Sequence, residues 1–295
     1  MTNNHIPPSI KSTHSRRSPF LLVATVAHEL GPRTNVPFID GGMTRTDAVF
    51  SEVEITEKDQ VVLVDASDMN AIPTVVSQKQ VVEIIDHRKL NDSNLFPNAT
   101  IQIALVGAPA TLIAERFFKE NIAPSKDAAG LLYLAIASNT VNFNTNNTTD
   151  RDRKMAAWLK DKSGLGEKDI HEMFVDKSQL TVSLLEILDE NLATFDLQKR
   201  IGIVQLEILG SDKLLKEKEN ELTYALKKLQ KQEKCELMFI TCVDLERLEN
   251  CFLVIDNTAK SLLESSINAT FTGNVGHRPG ILMRKEIVPL IKAAL

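Results

Sequence analysis

Two apolar segments of the sequence end in side chains that can bind metal. Residues 61–64 read Val-Val-Leu-Val and are followed by Asp65, and residues 81–85 read Val-Val-Glu-Ile-Ile and are followed by Asp86, His87 and Arg88. Short runs of this kind are typical of strands buried on both faces of a parallel sheet. Ligands of such sheets collect beyond the carboxyl ends of the strands. We therefore expect Asp65, Asp86 and His87 to converge on a site for a small anionic substrate.

This set of donors suits metal-assisted phosphoryl chemistry. Carboxylates with one imidazole favour Mn²⁺ or Mg²⁺, and Co²⁺ fits as well. Hydrolysis of a phosphoanhydride needs an activated water and neutralised phosphoryl oxygens, which two divalent ions about 3.5 to 4 Å apart supply. The planar guanidinium of Arg88 would hold a phosphate by two hydrogen bonds. An Asp-His pair is often only a surface pair, but the preceding strand and the nearby Asp65 favour a site.

Five segments in the family's order resemble motifs of the DHH phosphoesterases, the superfamily of manganese-dependent inorganic pyrophosphatases and exopolyphosphatases. Asp65 and the Asp86-His87-Arg88 triplet resemble its second and third motifs. Residues 106–111 (Val-Gly-Ala-Pro-Ala-Thr) resemble the segment that opens the next helix, and residues 135–140 (Ala-Ile-Ala-Ser-Asn-Thr) resemble the fourth motif. Residues 283–289 resemble the Ser-Arg-Lys signature of the C-terminal domain called DHHA2. The resemblance extends from Asp40 to Leu295.

The resemblance implies roles for individual residues of the first site. Asp65 matches the carboxylate that bridges two metal ions, and His87 matches a metal-binding histidine. Asp86 would orient the ligands from close by, and it is counted with Arg88 among the catalytic residues. Asn139 stands at the position of a family aspartate that also binds metal.

A second group of residues is implied to bind the substrate phosphates. Arg284 and Lys285 match a phosphate clamp carried on the second domain, where two fixed cations would meet the anionic substrate. Lys177 lies where a further substrate-binding lysine is expected. Without the family match, the alternative interpretation is that Arg284 and Lys285 are solvated charges on the surface.

Three departures from the family pattern affect the expected activity. Arg88 replaces the second histidine of the third motif, as it does in prune-like relatives, which weakens the specific expectation of a pyrophosphatase. Asn139 brings no charge to offset two dications. The opening motif of the family, Pro-Asp-x-Asp after a strand, has no counterpart because no aspartate precedes Asp40. Either the ligands of one metal ion are missing from the protein, or a segment that carries this motif is missing from this sequence.

These observations leave three functional hypotheses. The first is a metal-dependent phosphohydrolase of pyrophosphate, short polyphosphate or a similar small phosphoanhydride. The second is a catalytically impaired DHH relative that binds phosphorylated ligands or a protein partner. The third, a DHH exonuclease or cyclic-dinucleotide phosphodiesterase, fits less well because those families carry a glycine-rich C-terminal domain instead of the Arg-Lys ending.

Bulk composition narrows the class of protein. The net charge of −5 argues against a protein held to nucleic acid by a general basic field. No apolar stretch approaches the roughly 18 residues that a membrane span requires. Three cysteines in one apolar region indicate reduced core thiols and a cytoplasmic protein. A small phosphorylated substrate is the expected partner, and a homodimer is left open.

The chain of 295 residues is long enough for two domains. We expect an α/β fold with a parallel, doubly wound DHH domain over residues 20–185 and a smaller α/β DHHA2 domain over residues 186–295. Residues 1–19 are rich in Ser, Thr, Asn and Pro, which predicts a disordered tail, although a transit peptide has the same bias.

Periodicity and capping signals place the elements that would carry these residues. An apolar run before a Gly-Pro pair predicts a helix over residues 20–30, and a short strand is expected at 36–39. Further helices are expected at 110–120, 125–138, 149–162, 212–234 and 259–267, with a helix or helix pair over 170–198. Further strands are expected at 201–209, 237–242 and 251–256.

Overall fold

The computed structural model describes residues 23–27, 59–67, 69, 72, 76–87, 91–179 and 182–295. These residues form two compact units, one that ends at Ala104 and one that runs from Leu105 to Leu295. The predicted tail at 1–19, the predicted strand at 36–39 and Arg88 lie outside the described residues. The two compact units meet at residues 104 and 105, and the predicted boundary between the two domains after residue 185 stays a prediction.

The first unit contains a four-stranded sheet. Strand order is β1-β2-β3-β4, and β2–β3 and β3–β4 are parallel pairs. Its core contains side chains from β2 and β3, such as Leu63 and Ile84, both fully buried, together with Phe96. Apolar burial along these strands holds their carboxyl ends side by side. The strands are β1 (Val23–Ala27), β2 (Gln60–Val64), β3 (Val81–Asp86) and β4 (Thr100–Ile103).

The helix predicted over residues 20–30 is wrong in its central part. Residues Val23–Ala27 form strand β1, which pairs antiparallel with β2, with Val23 opposite Val64. The segment reads Val-Ala-Thr-Val-Ala, in which three residues of five are β-branched and favour extended backbone. An apolar run of this length does not distinguish a helix from a strand, and pairing with β2 decides between them.

The second unit begins with four helices that the sequence largely predicted. They follow one another without an intervening strand, so strand and helix do not alternate here. Ser125 caps α2 through a hydrogen bond from the Ala128 N–H, and Thr149 and Asp152 form a capping box at the start of α3. The helices are α1 (Pro109–Lys119), α2 (Lys126–Asn139), α3 (Asp150–Ser163) and α4 (Glu167–Lys177).

The segment predicted as helical over residues 170–198 is helical only in part. Helix α4 is followed by α5 (Leu184–Glu190), as a helix pair requires, but β5 (Leu192–Asp196) is a strand. Strand β5 pairs antiparallel with β6, and Leu192 lies opposite Val204. This long-range pairing fixes extended backbone where local spacing indicated a helix.

A six-stranded mixed sheet forms the rest of the second unit. The order is β5-β6-β7-β8-β10-β9; the β6–β7 pair is parallel and the remaining pairs are antiparallel. The α/β fold class is thus confirmed, with a largely parallel sheet followed by a mixed one. The other strands are β6 (Arg200–Ile208), β7 (Leu237–Asp244), β8 (Glu249–Val254), β9 (Thr270–Thr272) and β10 (Val275–Pro279).

Helices cover both faces of this sheet. One core cluster contains Leu215 and Leu226, and the other contains Leu263 and Ile287, all fully buried. The single helix predicted over residues 212–234 is divided at Lys218, which ends one helix and precedes the next. These helices are α6 (Ser211–Glu217), α7 (Glu219–Gln232), α8 (Asn257–Ile267) and α9 (Arg284–Ala294). No helix of the described residues is long and apolar enough to cross a membrane.

Candidate metal centre

Two adjacent parallel strands bring the predicted ligands together in the first unit. Val64 of β2 lies beside Ile85 of β3, so the residues that follow each strand emerge at the same edge of the sheet. The Asp65 N–H donates to the Ile85 carbonyl over 2.9 Å. Asp65 has a φ of 57°, in the left-handed region that aspartate tolerates better than most residues. This turn stops β2 and fixes where the carboxylate lies.

Asp65, Asp86 and His87 form a compact set of donors. Each offers one ligand atom, and these atoms all lie within 4.8 Å of one another. His87 Nε2 is 3.4 Å from Asp65 Oδ1, and the two side chains are only 13% and 6% exposed. Oxygen and imidazole nitrogen donors at this spacing fit one divalent ion of the Mn²⁺, Mg²⁺ or Co²⁺ type.

The carboxylate of Asp86 is fully buried and already hydrogen-bonded. One oxygen accepts from Ser67 Oγ, and the other accepts from the His87 N–H over 2.6 Å. Asp86 therefore holds the backbone of His87, and its role in positioning metal ligands stays a prediction. Ser67 was missed by sequence reasoning. Its position two residues after Asp65 was the only signal available.

The motif at residues 106–111 has a structural role in the second unit. The buried carboxylate of Asp152 accepts hydrogen bonds from the N–H groups of Gly107 and Ala108 and from Thr111 Oγ1. It also accepts from both the N–H and the hydroxyl of Thr149. A Cβ atom on Gly107 would lie 2.5 Å from Thr140 Cγ2, so a larger residue here would force the buried Thr140 side chain to shift. Asp152 thus ties the start of α1 to the start of α3.

Asn139 is the last residue of α2 and is half-buried. After it, Val141, Asn142 and Phe143 have φ values of 48°, 48° and 66°, which makes a left-handed turn of three non-glycine residues. Such backbone is costly and persists where neighbouring contacts determine it. Thr140 provides one of these contacts, since its hydroxyl accepts from the Phe143 N–H over 3.0 Å.

Lys177 lies at the end of α4 in a largely buried ion pair. Its Nζ is 2.5 Å from Glu207 Oε2, and the Glu207 side chain is 1% exposed. The same Nζ lies 3.4 Å from Ser138 Oγ, next to Asn139 in the fourth motif. Gln205 Nε2 donates to Glu207 Oε1 over 3.1 Å. The structure therefore shows Lys177 held by Glu207, and its binding of substrate stays a prediction.

Arg284 and Lys285 begin α9 but differ in their surroundings. The Arg284 guanidinium donates to the backbone carbonyls of Asn191 and Ile203 over 2.8 and 3.0 Å. Its N–H donates to Gln205 Oε1 over 2.5 Å. Burial lowers the pKa of Arg284 to about 10, against the opposing effect of the Glu207 charge. Lys285 is exposed. The clamp assigned to this pair stays a prediction.

Fold and site together define an α/β protein with a candidate metal centre at the ends of parallel strands and a mixed sheet that follows it. The family model of the DHHA2 domain matches residues 171–294. The resemblance to DHH phosphoesterases with a C-terminal DHHA2 domain, predicted from the sequence motifs, is thereby confirmed.

Individual relatives are similar over most of the chain. A manganese-dependent inorganic pyrophosphatase of Methanocaldococcus jannaschii is 29% identical over 82% of each chain. The corresponding protein of Bacillus subtilis is 25% identical over 83% of this chain and 80% of its own length. A solved structure described as a family II inorganic pyrophosphatase of Methanococcus jannaschii superposes with a TM-score of 0.64, at 29% identity and 79% of each chain.

A cobalt-dependent inorganic pyrophosphatase of Clostridium perfringens is 26% identical over 79% of this chain. The match covers 43% of that longer protein. The metals in these names are those expected from the donor set of Asp65 and His87.

Proposed function

We propose that this chain is a metal-dependent phosphohydrolase that acts on pyrophosphate, short polyphosphate or a similar small phosphoanhydride, with Mn²⁺ as its ion or else Mg²⁺ or Co²⁺. The observation that carries the proposal is the set of Asp65, Asp86 and His87 at the carboxyl ends of β2 and β3. Relatives named manganese-dependent inorganic pyrophosphatases support the same reaction.

Asp65 and His87 would hold the ion in this proposal. A divalent ion bound there would lower the pKa of a water and neutralise charge on the phosphoryl oxygens. Asp86 keeps the backbone of His87 in place through its hydrogen bonds to Ser67 and the His87 N–H. Burial of Asp65 and Asp86 keeps bulk water away from the carboxylates and so strengthens their interaction with a cation.

The substrate phosphates would be bound by cations carried elsewhere in the chain. By resemblance to the family, we assign this role to four residues: Arg88, Arg284, Lys285 and Lys177. Asn139 is assigned, by the same resemblance, to the position of a metal-binding aspartate. Lys285 is the exposed member of the α9 pair, whereas Arg284 and Lys177 also hold the local structure.

Substitution of the two proposed ligands tests the assignment. Asp65→Asn keeps size and removes charge, and His87→Ala removes the imidazole, so each should lower Mn²⁺-dependent pyrophosphate hydrolysis more than about a hundredfold and weaken Mn²⁺ binding in parallel. Asp161→Asn and His171→Ala, on exposed faces of α3 and α4, are matched controls. Wild-type metal binding and activity in both ligand variants would refute the assignment.

The catalytically impaired relative remains the second candidate because Asn139 brings no charge to the metal position that the resemblance implies. In that case the wild-type chain should bind one Mn²⁺ and a phosphate ligand with little turnover. Asn139→Asp should then raise Mn²⁺ affinity and hydrolysis together, as a carboxylate offsets the charge of a dication. An active wild type that Asn139→Asp leaves unchanged would exclude this second candidate.

The setting proposed for this activity is the cytoplasm, with a small phosphorylated substrate and neither nucleic acid nor membrane as partner. The three buried free cysteines and the net charge of −5 support this setting. A homodimer is part of the proposal only as an expected oligomeric state, which light scattering of the purified chain tests.

A further inference from the structure

A second group of metal-competent side chains lies on one face of the C-terminal sheet. Cys251 of β8 and His277 of β10 are directly opposite each other in an antiparallel pair. Glu249 lies two residues before Cys251, and alternate residues of a strand point to the same face. The ligand atoms of Glu249, Cys251 and His277 all lie within 4.8 Å of one another.

The distances between these atoms match those of ligands around one tetrahedral ion. Cys251 Sγ is 3.4 Å from His277 Nδ1 and 3.9 Å from Glu249 Oε1. His277 Nδ1 is 3.7 Å from Glu249 Oε1. For Zn²⁺ bonds of about 2.0 to 2.3 Å, tetrahedral angles place the donors about 3.3 to 3.6 Å apart. The three side chains therefore need only small shifts to bind one ion.

Asp212 of helix α6 orients the histidine of this group. Its Oδ1 is 3.1 Å from His277 Nε2, the ring nitrogen that faces away from Cys251. A carboxylate this close to Nε2 favours the tautomer with its proton on Nε2, which leaves the lone pair of Nδ1 directed at the other two ligands. Metal-binding histidines commonly have such a carboxylate partner. The Asp212–His277 contact thus prepares the imidazole as a ligand.

Two cations already lie near the acidic groups. Arg247 Nη1 is 3.7 Å from Glu249 Oε1 and 3.8 Å from Asp212 Oδ2. Lys216 Nζ is 2.9 Å from Asp212 Oδ2 and contributes to a lowered pKa of that carboxyl. The Arg247 side chain is 58% exposed, so it can move into solvent, and Glu249 can then bind a metal ion instead. Arg247 would therefore compete with the metal.

We propose that Glu249, Cys251 and His277 form a transition-metal site selective for Zn²⁺-type ions, with Asp212 as a positioning residue. A thiol, an imidazole and a carboxylate are the donors that Zn²⁺ accepts in proteins, and the sulfur disfavours Mn²⁺ and Mg²⁺. Burial raises the pKa of the Cys251 thiol to about 11. Metal binding therefore releases the thiol proton to solvent as the sulfur–metal bond forms. The site does not depend on the proposed hydrolysis.

Cobalt binding to the full-length protein tests the proposal. A Co²⁺ ion at this site should give a sulfur-to-cobalt charge-transfer band. Asp65, Asp86 and His87 offer only oxygen and nitrogen donors, so Co²⁺ bound there cannot produce this band. Addition of Zn²⁺ should abolish the band by displacement. Cys251→Ser should remove it, whereas Cys242→Ala should retain it, since Cys242 is a buried thiol opposite Cys251 that lies outside the ligand group.

Substitutions at less buried positions support the test where Cys251→Ser disturbs folding. Glu249→Gln and His277→Ala should each weaken Zn²⁺ binding at least tenfold, and Asp212→Asn should weaken it by about ten- to a hundredfold. Arg247→Gln should strengthen binding by a few-fold, because it removes the competing cation. Absence of the charge-transfer band in the wild type, or its persistence in folded Cys251→Ser protein, would overturn the proposal.

Discussion

Among the described residues, two groups of possible ligands contain a histidine, and they are built in different ways. Asp65, Asp86 and His87 lie at the carboxyl ends of parallel strands, which meet at a common edge of the sheet. Glu249, Cys251 and His277 lie within antiparallel strands, where a cross-strand pair and an i, i+2 spacing bring them to one face. The direction of the strands therefore decides where ligands come together: at strand ends in the parallel sheet and on a strand face in the antiparallel one.

The buried carboxylate of Asp152 shows how a structural carboxylate differs from one that can bind a metal ion. Asp152 accepts five hydrogen bonds from backbone and hydroxyl donors. Its oxygens are thereby saturated by neutral donors of α1 and α3. Asp65, in contrast, lies beside an imidazole, and so does Asp212. A carboxylate beside a titratable nitrogen can exchange its partner for a cation.

The largest expected effect distinguishes His87 from His277 by the metal ion whose binding each variant loses. His87→Ala should abolish Mn²⁺-dependent hydrolysis and keep the cobalt–thiolate band, whereas His277→Ala should keep hydrolysis and lose the band, because the donor atoms of each group prefer different ions. Absorption spectra and Mn²⁺ titrations of both variants measure this. If one variant lost both signals while folded, the two groups would not be independent.

A large effect on stability is expected at Asp152. Asp152→Asn should lower the free energy of unfolding by at least about 3 kcal/mol, since an amide offers one acceptor oxygen to five donors and turns an NH₂ group towards the others. Urea denaturation measures the change. Asp150→Asn, an exposed change in the same helical turn, is the control. Equal stability of the two variants would show that Asp152 does not tie α1 to α3.

The two cations that begin α9 should behave differently. Arg284→Ala removes donors from the Asn191 and Ile203 carbonyls and should cost about 1 to 3 kcal/mol of stability. Lys285→Ala should leave stability unchanged and weaken binding of a pyrophosphate analogue by about tenfold.

Thermal unfolding and ligand titration at fixed Mn²⁺ distinguish the two outcomes, with Lys292→Ala as an exposed control on the same helix. Ligand binding that neither Arg284→Ala nor Lys285→Ala weakens would remove α9 from the phosphate site.

The smallest effect concerns the ion pair between Glu115 and Arg151, which Lys119 extends on its exposed side. Hydrogen bonding to Arg151 lowers the pKa of Glu115 from its ordinary value of 4.5. The pair therefore stabilises the fold fully above that value, and its contribution is lost as the pH falls through the lowered pKa. Since the Arg151 side chain is 43% exposed, the contribution should be at most about 1 kcal/mol.

Wild type should thus lose more stability than Glu115→Gln between neutral pH and about pH 3, as chemical denaturation at each pH would show. Glu172→Gln, at an exposed pair with Lys168, is the control and should lose stability in parallel with wild type. Parallel curves for all three proteins would contradict the assignment.

Local sequence predicted those helices and strands whose caps and apolar runs lie within the elements themselves. The caps at Ser125 and Thr149 marked the starts of α2 and α3, and the apolar runs before Asp65 and Asp86 marked β2 and β3. The candidate metal centre followed from these runs, because its ligands are the residues that directly follow the strands.

Long-range contacts decided the rest. Residues 23–27 and 192–196 became strands through pairing with β2 and β6, and no local spacing required it. Arg284 turned inward because the backbone carbonyls of Asn191, between α5 and β5, and of Ile203, on β6, accept its protons. Cys251 and His277 are 26 residues apart and meet only through the register of β8 and β10. Local sequence was sufficient to identify the ligands at strand ends, whereas only strand pairing in the folded protein brings together the ligands that face one another across two strands.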